Sequence, residues 1–208
     1  MAKKPALPRA RRTQRERSET MRARLLEATV ESLLEMGYSR TSTIEVAARA
    51  GVSRGAQLHH YPTKKKLVAA AVRHILEMRL EAFRAAFAKL PEGADRQAAA
   101  VDLLWEGTTS GAFYAWLELL VASRTDPSLR KTILDTQKEF GERVQQTFRE
   151  FFTPTREHTN PLEIAPVFAL AQMQGLALNR IVDEKDPRIQ MCLHVLKALS
   201  SGALRTRA

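Results

Sequence analysis

Residues 51–67 read Gly51-Val52-Ser53-Arg54-Gly55-Ala56-Gln57-Leu58-His59-His60-Tyr61-Pro62-Thr63-Lys64-Lys65-Lys66-Leu67. A glycine turn leads into a short helix, and a proline separates that helix from a lysine cluster. Upstream, Ser42-Thr43-Ile44-Glu45 has the spacing of a capping box, which predicts a second short helix that runs to about Ala50. Two short helices about a glycine turn are typical of a helix-turn-helix, whose second helix enters a DNA groove.

These residues resemble the TetR family of bacterial transcriptional regulators. The similarity runs from a helix beginning near Thr20, through Gly37-Tyr38 and residues 41–47, to Lys64 and Leu67, about a quarter of the chain. It implies an all-α fold, with an N-terminal three-helix DNA-binding module and a C-terminal helical domain that binds a ligand and forms a homodimer. The implied partners are double-stranded DNA with a palindromic operator, a second copy of the chain and a small effector molecule.

The resemblance also implies which residues contact DNA. The family's contacts fall on Thr43, Arg54, Gly55, Ala56, His59, His60 and Lys64. Ser42 and Gln57 complete the candidate DNA-binding surface. In physical terms, Arg54 lies in the first turn, where its guanidinium can fork onto a guanine edge or a phosphate. Thr43 and Lys64 begin their helices, where free amides favour phosphate.

The sequence departs from the family at Gln57-Leu58, where members usually carry an aliphatic residue and then tyrosine. A helical wheel predicts that Leu58 and Tyr61 face the core of the module, with Leu25, Leu33, Val46 and Val52 among the core residues. Two interpretations of Gln57 remain open, a polar residue at the helix edge and a reader of adenine.

Positive charge is concentrated at the N-terminal end. The whole chain carries a net charge of +10. Residues 1–66 contain five Lys, ten Arg and six Glu, a net of +9, and the other 142 residues are nearly neutral. A basic third joined to a neutral remainder indicates an anionic polymer bound at one end. Residues 1–17 hold seven of these basic residues and one acid, so we expect a disordered arm that seeks phosphate or the minor groove.

The remaining pattern is helical, and no sustained period-two run predicts strands. Helices are predicted near residues 19–36, 43–50, 54–60, 64–90, 96–108, 111–124, 127–152, 162–184 and 187–201. We expect three parts: the arm over 1–17, the DNA-binding domain over 18–66, and the ligand-binding and dimerisation domain over 67–208.

The last two predicted helices are apolar on more than one face, which requires more than one burial partner. An intersubunit four-helix bundle would bury them, and a fully buried helix in a monomer is the alternative. The candidate interface residues are Val167, Leu170, Leu178, Ile181, Leu193 and Leu196.

Aromatic residues concentrate over 103–120 and are compatible with simple core packing. The resemblance adds a ligand cavity beside the long 64–90 helix. Its candidate lining residues are Met78, Trp105, Phe113, Trp116, Met173 and Gln174. Such a lining would suit a small hydrophobic or aromatic molecule.

Other classes of protein fit less well. The five histidines lack metal-ligand spacing and no glycine-rich phosphate loop is present, so we expect no enzyme, metal or cofactor. Neither a signal peptide nor a run of about 20 apolar residues is seen, which predicts a cytoplasmic protein without membrane contact. An architectural DNA-binding protein would explain the basic end but not the neutral domain. With no separate activating segment in view, the sequence favours a repressor over an activator.

Overall fold

The structure, a computed structural model, describes residues 13–154 and 161–206. Within these ranges the chain is almost entirely helical, which confirms the predicted all-α fold. Its elements are α1 (Gln14–Arg40), α2 (Thr43–Arg49), α3 (Arg54–His60), α4 (Lys64–Ala88), α5 (Arg96–Thr108), α6 (Gly111–Ala122), α7 (Pro127–Phe151), β1 (Phe152–Pro154), α8 (Pro161–Val182), α9 (Pro187–Ala203) and β2 (Leu204–Thr206).

Two short strands are the exception to the helical prediction. β1 pairs antiparallel with β2, with Phe152 opposite Thr206 and Pro154 opposite Leu204. Each strand has three residues, too few for the alternation by which a sequence predicts a strand. The pair joins the end of α7 to the end of α9.

The first helix begins earlier than predicted because it has a capping box that the sequence prediction missed. The backbone N–H of Glu16 donates to Thr13 Oγ1 (3.2 Å), and the N–H of Thr13 donates to the Glu16 carboxylate (2.8 Å). Residues 14–17 are therefore helical, and the expectation of a disordered arm is wrong for them. Residues 1–12 lie outside the described part of the chain.

At α2 the predicted capping box is only half formed. The Ser42 hydroxyl accepts a hydrogen bond from the N–H of Glu45 (3.1 Å). The Glu45 carboxylate instead accepts from the Ser32 hydroxyl (2.5 Å) and from Arg49 Nε (2.9 Å). Arg49 also pairs with Glu35 on α1, so this acidic and basic cluster fixes α2 against α1.

Gly37 and Gly51 occupy left-handed backbone positions that other residues rarely adopt. Gly37 has φ +73° and interrupts α1, and Gly51 has φ +63° in the turn between α2 and α3. At Gly37 a Cβ atom would also lie 2.9 Å from the Glu118 carboxylate on α6. The chain therefore bends at both positions, as the sequence indicated, and Gly37 admits a close approach of α6.

The first three helices and the start of α4 enclose a small core. Leu25, Ala28, Val46, Ala50 and Leu67 are buried together, with Met21, Val52 and Tyr61 packed against them. Leu33, which the wheel placed in this core, instead joins a second cluster with Val72, Trp116 and Leu119. The predicted domain boundary after residue 66 falls inside α4, since Leu67 packs with the helices before it.

Helix α4 passes from this module through the rest of the protein. Its middle packs on α6 and α7, and its end packs Leu80, Phe83 and Phe87 against Phe148 and Phe152. A further cluster joins Val101 on α5 to Met173 on α8 and to Ile189, Leu193 and Leu196 on α9. No helix in the described ranges combines the length and apolar character that crossing a membrane would require.

Candidate functional site

Helix α3 presents an exposed surface that starts at the glycine turn. The Ser53 side chain accepts from the N–H of Ala56 (3.2 Å) and caps the helix. Arg54, Gly55 and His59 are exposed, and Ala56 and His60 are half-buried. Since Gly55 has no neighbour within 4 Å of the position its Cβ would take, a groove wall or phosphate can approach the backbone there.

The structure reverses the predicted roles of Gln57 and Leu58. Gln57 is fully buried, and its Nε2 donates to the carbonyl oxygen of Tyr61 (2.6 Å). Leu58 is 41% exposed. The inward face of α3 thus runs from Gln57 to Tyr61, one turn apart, so neither open interpretation of Gln57 holds. Leu58 takes its place on the exposed surface, where an aliphatic group can contact a thymine methyl.

Lys64 does not direct its ammonium group toward the exposed surface. Its Nζ donates to the carbonyl oxygen of Tyr38 (2.5 Å) and lies 4.0 Å from the centre of the Tyr38 ring. Burial lowers the pKa of this lysine, while Asp126 opposes that shift. The Lys64 ammonium group is therefore engaged with Tyr38, although the position of Lys64 at the start of α4 is as expected.

Three arginines on α1 flank α3; Arg17 belongs to the arm that was expected to seek phosphate, and Arg22 and Arg24 were not predicted as site residues. Arg17 and Arg24 line a cleft with Gly51, Ser53 and Ala56, next to the start of α3. Arg22 lies close enough to His60 to lower the pKa of that histidine. Within the described residues none of the three forms an ion pair. The seven-residue spacing of Arg17 and Arg24, two helical turns on one face, is the signal that could have identified them.

His60 lies at the other end of α3, in a partly buried and cationic setting. Burial lowers its pKa below the ordinary value of 6.5, and the charges of Arg22 and His59 lower it further. The rings of His59 and His60 meet edge to face, 5.4 Å apart. Two further candidate DNA-binding residues lie at the start of α2, where Ser42 caps the helix and is exposed, and Thr43 is its first residue and is half-buried.

A cavity of about 340 Å³ lies between α4, α5, α6, α7 and α8. Its walls are mainly apolar and include Leu80, Phe83, Leu104, Phe140, Val144 and Phe148. The volume lies at the lower end of the range of about 300–1,000 Å³ typical of ligand pockets. Arg79, Gln137 and Gln174 are among its polar lining residues.

Only two of the six predicted ligand-binding residues, Trp116 and Gln174, line this cavity. Phe113 is buried in the core beside α4, and Met173 is buried against α9. Met78 is 56% exposed, and Trp105 lines a separate surface depression near Arg180. These four residues do not line the cavity, because an apolar composition does not show which face of a helix turns inward. Phe140 and Phe148, outside the aromatic-rich segment, were missed.

Helices α8 and α9 each carry several exposed apolar side chains. On α8 these include Val167, Phe168, Leu178, Ile181 and Val182, and on α9 Met191, Val195 and Leu199. Val167, Leu178 and Ile181 were predicted as interface residues and are among them. Leu193 and Leu196 are not, since both are buried against α5 and α8. Leu170 is partly buried and lines the cavity.

The described residues contain no group of three His, Cys, Asp or Glu side chains that could hold a metal ion. The single cysteine, Cys192, is exposed on α9.

Comparison with known proteins supports the resemblance to the TetR family. Residues 25–71 match the family model of bacterial regulatory proteins, tetR family. An uncharacterized HTH-type transcriptional regulator of Mycobacterium tuberculosis is 36% identical over 140 residues, which cover 66% of this chain and 71% of that protein. The HTH-type transcriptional regulator CymR of Pseudomonas putida is 39% identical over 126 residues, covering 61% and 62%.

Solved structures show the same fold. A proposed transcriptional regulator of Pseudomonas aeruginosa PAO1 has a TM-score of 0.66 at 22% identity and covers 91% of this chain and 95% of its own. A proposed regulator of Saccharomonospora viridis, in complex with choline, has a TM-score of 0.64 at 17% identity, covering 90% and 99%. The multidrug binding protein EbrR, complexed with imidazole, has a TM-score of 0.62 at 22% identity, covering 94% and 97%.

Proposed function

The chain belongs to the TetR family of bacterial transcriptional regulators, and from this we propose that it is a homodimeric repressor which a small, largely apolar molecule releases from a palindromic operator. It is a DNA-binding regulator and not an enzyme. The observation that carries the proposal is structural. One continuous helix, α4, begins just after α3 and forms part of the wall of an apolar cavity through residues 76–83.

The proposed DNA-binding surface is centred on α3. Arg54, Leu58, His59 and His60 contact base edges, and the small residues Gly55 and Ala56 allow the helix to lie close to the groove wall. Phosphates on either side are contacted by Arg17, Arg22 and Arg24 from α1, and by the starts of α2 and α4 at Ser42, Thr43 and Lys64.

A homodimer would cover the exposed apolar side chains of α8 and α9. Exposed side chains such as Phe168, Ile181 and Val195 would be buried against the same residues of a second copy, because a two-fold interface brings one surface against itself. Such a dimer presents two copies of α3 to the DNA. Repression then requires only that this dimer occupy a promoter.

The effector is proposed to bind in the cavity between α4 and α8. Choline and imidazole in two structurally similar proteins support a small-molecule ligand for this chain as well. Release from DNA requires that the ligand favour a conformation in which the two α3 helices no longer match the operator.

The primary test is selection of DNA fragments by the purified protein, followed by sequencing. We expect the selected fragments to share a palindrome with half-sites one helical turn apart or a multiple of it. Footprinting on a selected fragment should then protect a discrete site. If fragments of unrelated sequence bind equally well, the protein is an architectural DNA-binding protein instead.

Charge-matched variants test the placement of α3. Arg54→Ala should weaken binding to the selected site by about 1–3 kcal/mol per half-site. Lys89→Ala removes the same charge at the far end of α4 and should leave affinity within experimental error. Equal losses in the two variants would show that charge alone, and not the position of Arg54, determines affinity.

A further inference from the structure

Arg79 on α4 lies in the wall of the cavity and differs from the other arginines of that helix. Arg73 pairs with Glu139 (3.1 Å) and Arg84 with Glu150 (2.7 Å), both across to α7. Within the described residues no carboxylate pairs with Arg79. Its one hydrogen bond there is a long contact of 3.4 Å from Nη2 to the hydroxyl oxygen of Thr108.

This guanidinium group is mostly buried among apolar side chains. Burial lowers the pKa of Arg79 to about 10, and no neighbouring charge contributes to that shift. The Phe113 ring offers a weak contact, with its centre 5.9 Å from the guanidinium carbon. Buried charges in proteins are normally paired because an unpaired one loses the hydration it has in water. The cavity therefore holds a cation whose counter-charge the described residues do not supply.

The residue opposite Arg79 leaves room beside the guanidinium. Gly107 lies in the last turn of α5 and, like Arg79, lines the cavity. A Cβ atom at Gly107 would lie 3.9 Å from Arg79 Nε, so a larger side chain at this position would lie against the guanidinium. The donors of Arg79 thus remain accessible from the cavity.

We propose that the cavity binds an amphipathic monoanion, an apolar molecule with one carboxylate, and that Arg79 is the residue that selects this class. A carboxylate matches the fork of guanidinium donors with two parallel hydrogen bonds. The hydrocarbon or aromatic part of the ligand packs against Leu80, Phe83, Phe140, Val144 and Phe148. This assignment rests on the proposed function only in naming the cavity as the effector site.

Binding of matched compounds to the purified protein, measured by isothermal titration calorimetry without DNA, tests the assignment. The probes are octanoate and 4-phenylbutyrate, their neutral amides, and octyltrimethylammonium. We expect each carboxylate to bind at least tenfold tighter than its amide, and the ammonium compound not to bind. Equal affinity of acid and amide, or binding of the amides alone, would overturn the proposal, as would a failure of both acids to bind.

Two neutral variants separate a ligand-selecting role from a structural one. In Arg79→Met and in Arg79→Gln, the preference for acid over amide should disappear, whereas Arg79→Lys should keep part of it. The melting temperature of Arg79→Met without ligand should equal or exceed that of the wild type, since the variant removes an unpaired buried charge. A preference that survives in both neutral variants, or a clear fall in melting temperature, would contradict the role given to Arg79.

Operator displacement is measured separately, so that the two proposals fail independently. A carboxylate that binds through Arg79 without changing operator affinity supports the ligand class and removes the proposed ligand response. A neutral compound that releases the operator while the carboxylates do not bind keeps the ligand response and overturns the ligand class.

Discussion

An amide side chain lies in the core of the DNA-binding module. Gln57 is fully buried in α3, and its Nε2 is bonded to the carbonyl oxygen of Tyr61. Its Oε1 has no hydrogen-bond partner among the described residues. A buried acceptor without a partner costs about 1–3 kcal/mol relative to a satisfied one. The residue therefore weakens the module at α3, the helix that we propose to contact DNA.

Replacing this amide with an apolar side chain should stabilise the protein. We expect Gln57→Leu to raise the free energy of unfolding by about 1 kcal/mol, because removing the unpaired buried oxygen outweighs the loss of one hydrogen bond to the Tyr61 carbonyl oxygen. Urea unfolding followed by circular dichroism measures the change, with the exposed Gln190→Leu as control. A destabilised Gln57→Leu would show that Oε1 has a partner, such as a bound water.

His60 gives operator binding a pH dependence of predictable sign. In the free protein its pKa is lowered below 6.5, so the imidazole is mostly neutral at pH 7. Phosphate groups favour the charged form and raise this pKa in the complex. Binding is then coupled to proton uptake, and affinity should rise as pH falls from neutral through 6.5.

The measurement is operator titration across this range of pH for the wild type, His60→Gln and His59→Gln. The rise should be lost in His60→Gln. It should be largely kept in His59→Gln, which leaves His60 in place and removes one of the two neighbouring positive charges that lower the pKa of His60. Affinity that falls with pH in the wild type would indicate that neutral His60 accepts a hydrogen bond from a base.

Single side chains were the least predictable part of the site. The glycine turn and the caps predict where α3 begins and ends, but burial of Gln57 rather than Leu58 depends on how α3 is rotated against α1. That rotation is fixed by packing around Leu25, Val46 and Tyr61 from three separate segments. No local sequence pattern predicts this rotation, because on a helix of seven residues either Gln57 or Leu58 could face inward.

At the scale of elements, α9 has two faces with different partners. Leu193 and Leu196 are buried within the subunit, and Val195 is 59% exposed on the side away from them. The helix boundaries could be predicted from prolines, glycines and apolar spacing. The sequence did not predict which apolar residues of α9 lie in the core and which lie in the proposed interface. An apolar composition is the same in both places.

Adjacent substitutions on α9 should therefore have different effects. Val195→Glu places a carboxylate in the proposed interface, where burying it unpaired costs several kcal/mol, so we expect folded monomers that bind the operator poorly. Leu196→Glu should instead unfold the subunit. Sedimentation velocity and circular dichroism distinguish these outcomes. If Val195→Glu remains a dimer of normal stability, the interface lies elsewhere.

The distance between subunits can be checked with the native thiol. Cys192 is the single cysteine of the chain and is exposed on α9. A spin label on it reports one distance in a two-fold dimer, which should be short if α8 and α9 form the interface. A wild-type dimer with widely separated labels would exclude that arrangement.

At the scale of the whole molecule, charge is divided between two ends. Residues 1–66 carry nine of the ten net positive charges. Composition alone predicts this division, and the division by itself indicates a nucleic-acid partner. The cavity was less predictable because its walls come from five helices. The lining residues are spread along the chain from Leu76 to Gln174.

Deleting residues 1–12 should weaken binding to specific and non-specific DNA alike. The deletion removes Lys3, Lys4, Arg9, Arg11 and Arg12 but keeps Thr13 and Glu16, which cap α1. For every phosphate that is no longer contacted, the slope of log affinity against log salt should fall by about 0.9. A full-length variant with these five residues changed to Gln is the control for length and should behave like the deletion. An unchanged slope in both proteins would show that these residues do not contact phosphates.

The length of α4 has a mechanical consequence. Its 25 residues form a rod roughly 37 Å long at about 1.5 Å per residue. A tilt of about 5° at the cavity end displaces the opposite end by roughly 3 Å, close to the axial step of about 3.4 Å between base pairs. The start of α4 is bonded to α1, because Lys64 Nζ donates to the carbonyl oxygen of Tyr38. The Tyr38 hydroxyl in turn donates to Asp126 (3.4 Å) at the start of α7. In the proposed dimer, a tilt of this size would be large enough to shift each α3 helix by about one base pair on its half-site.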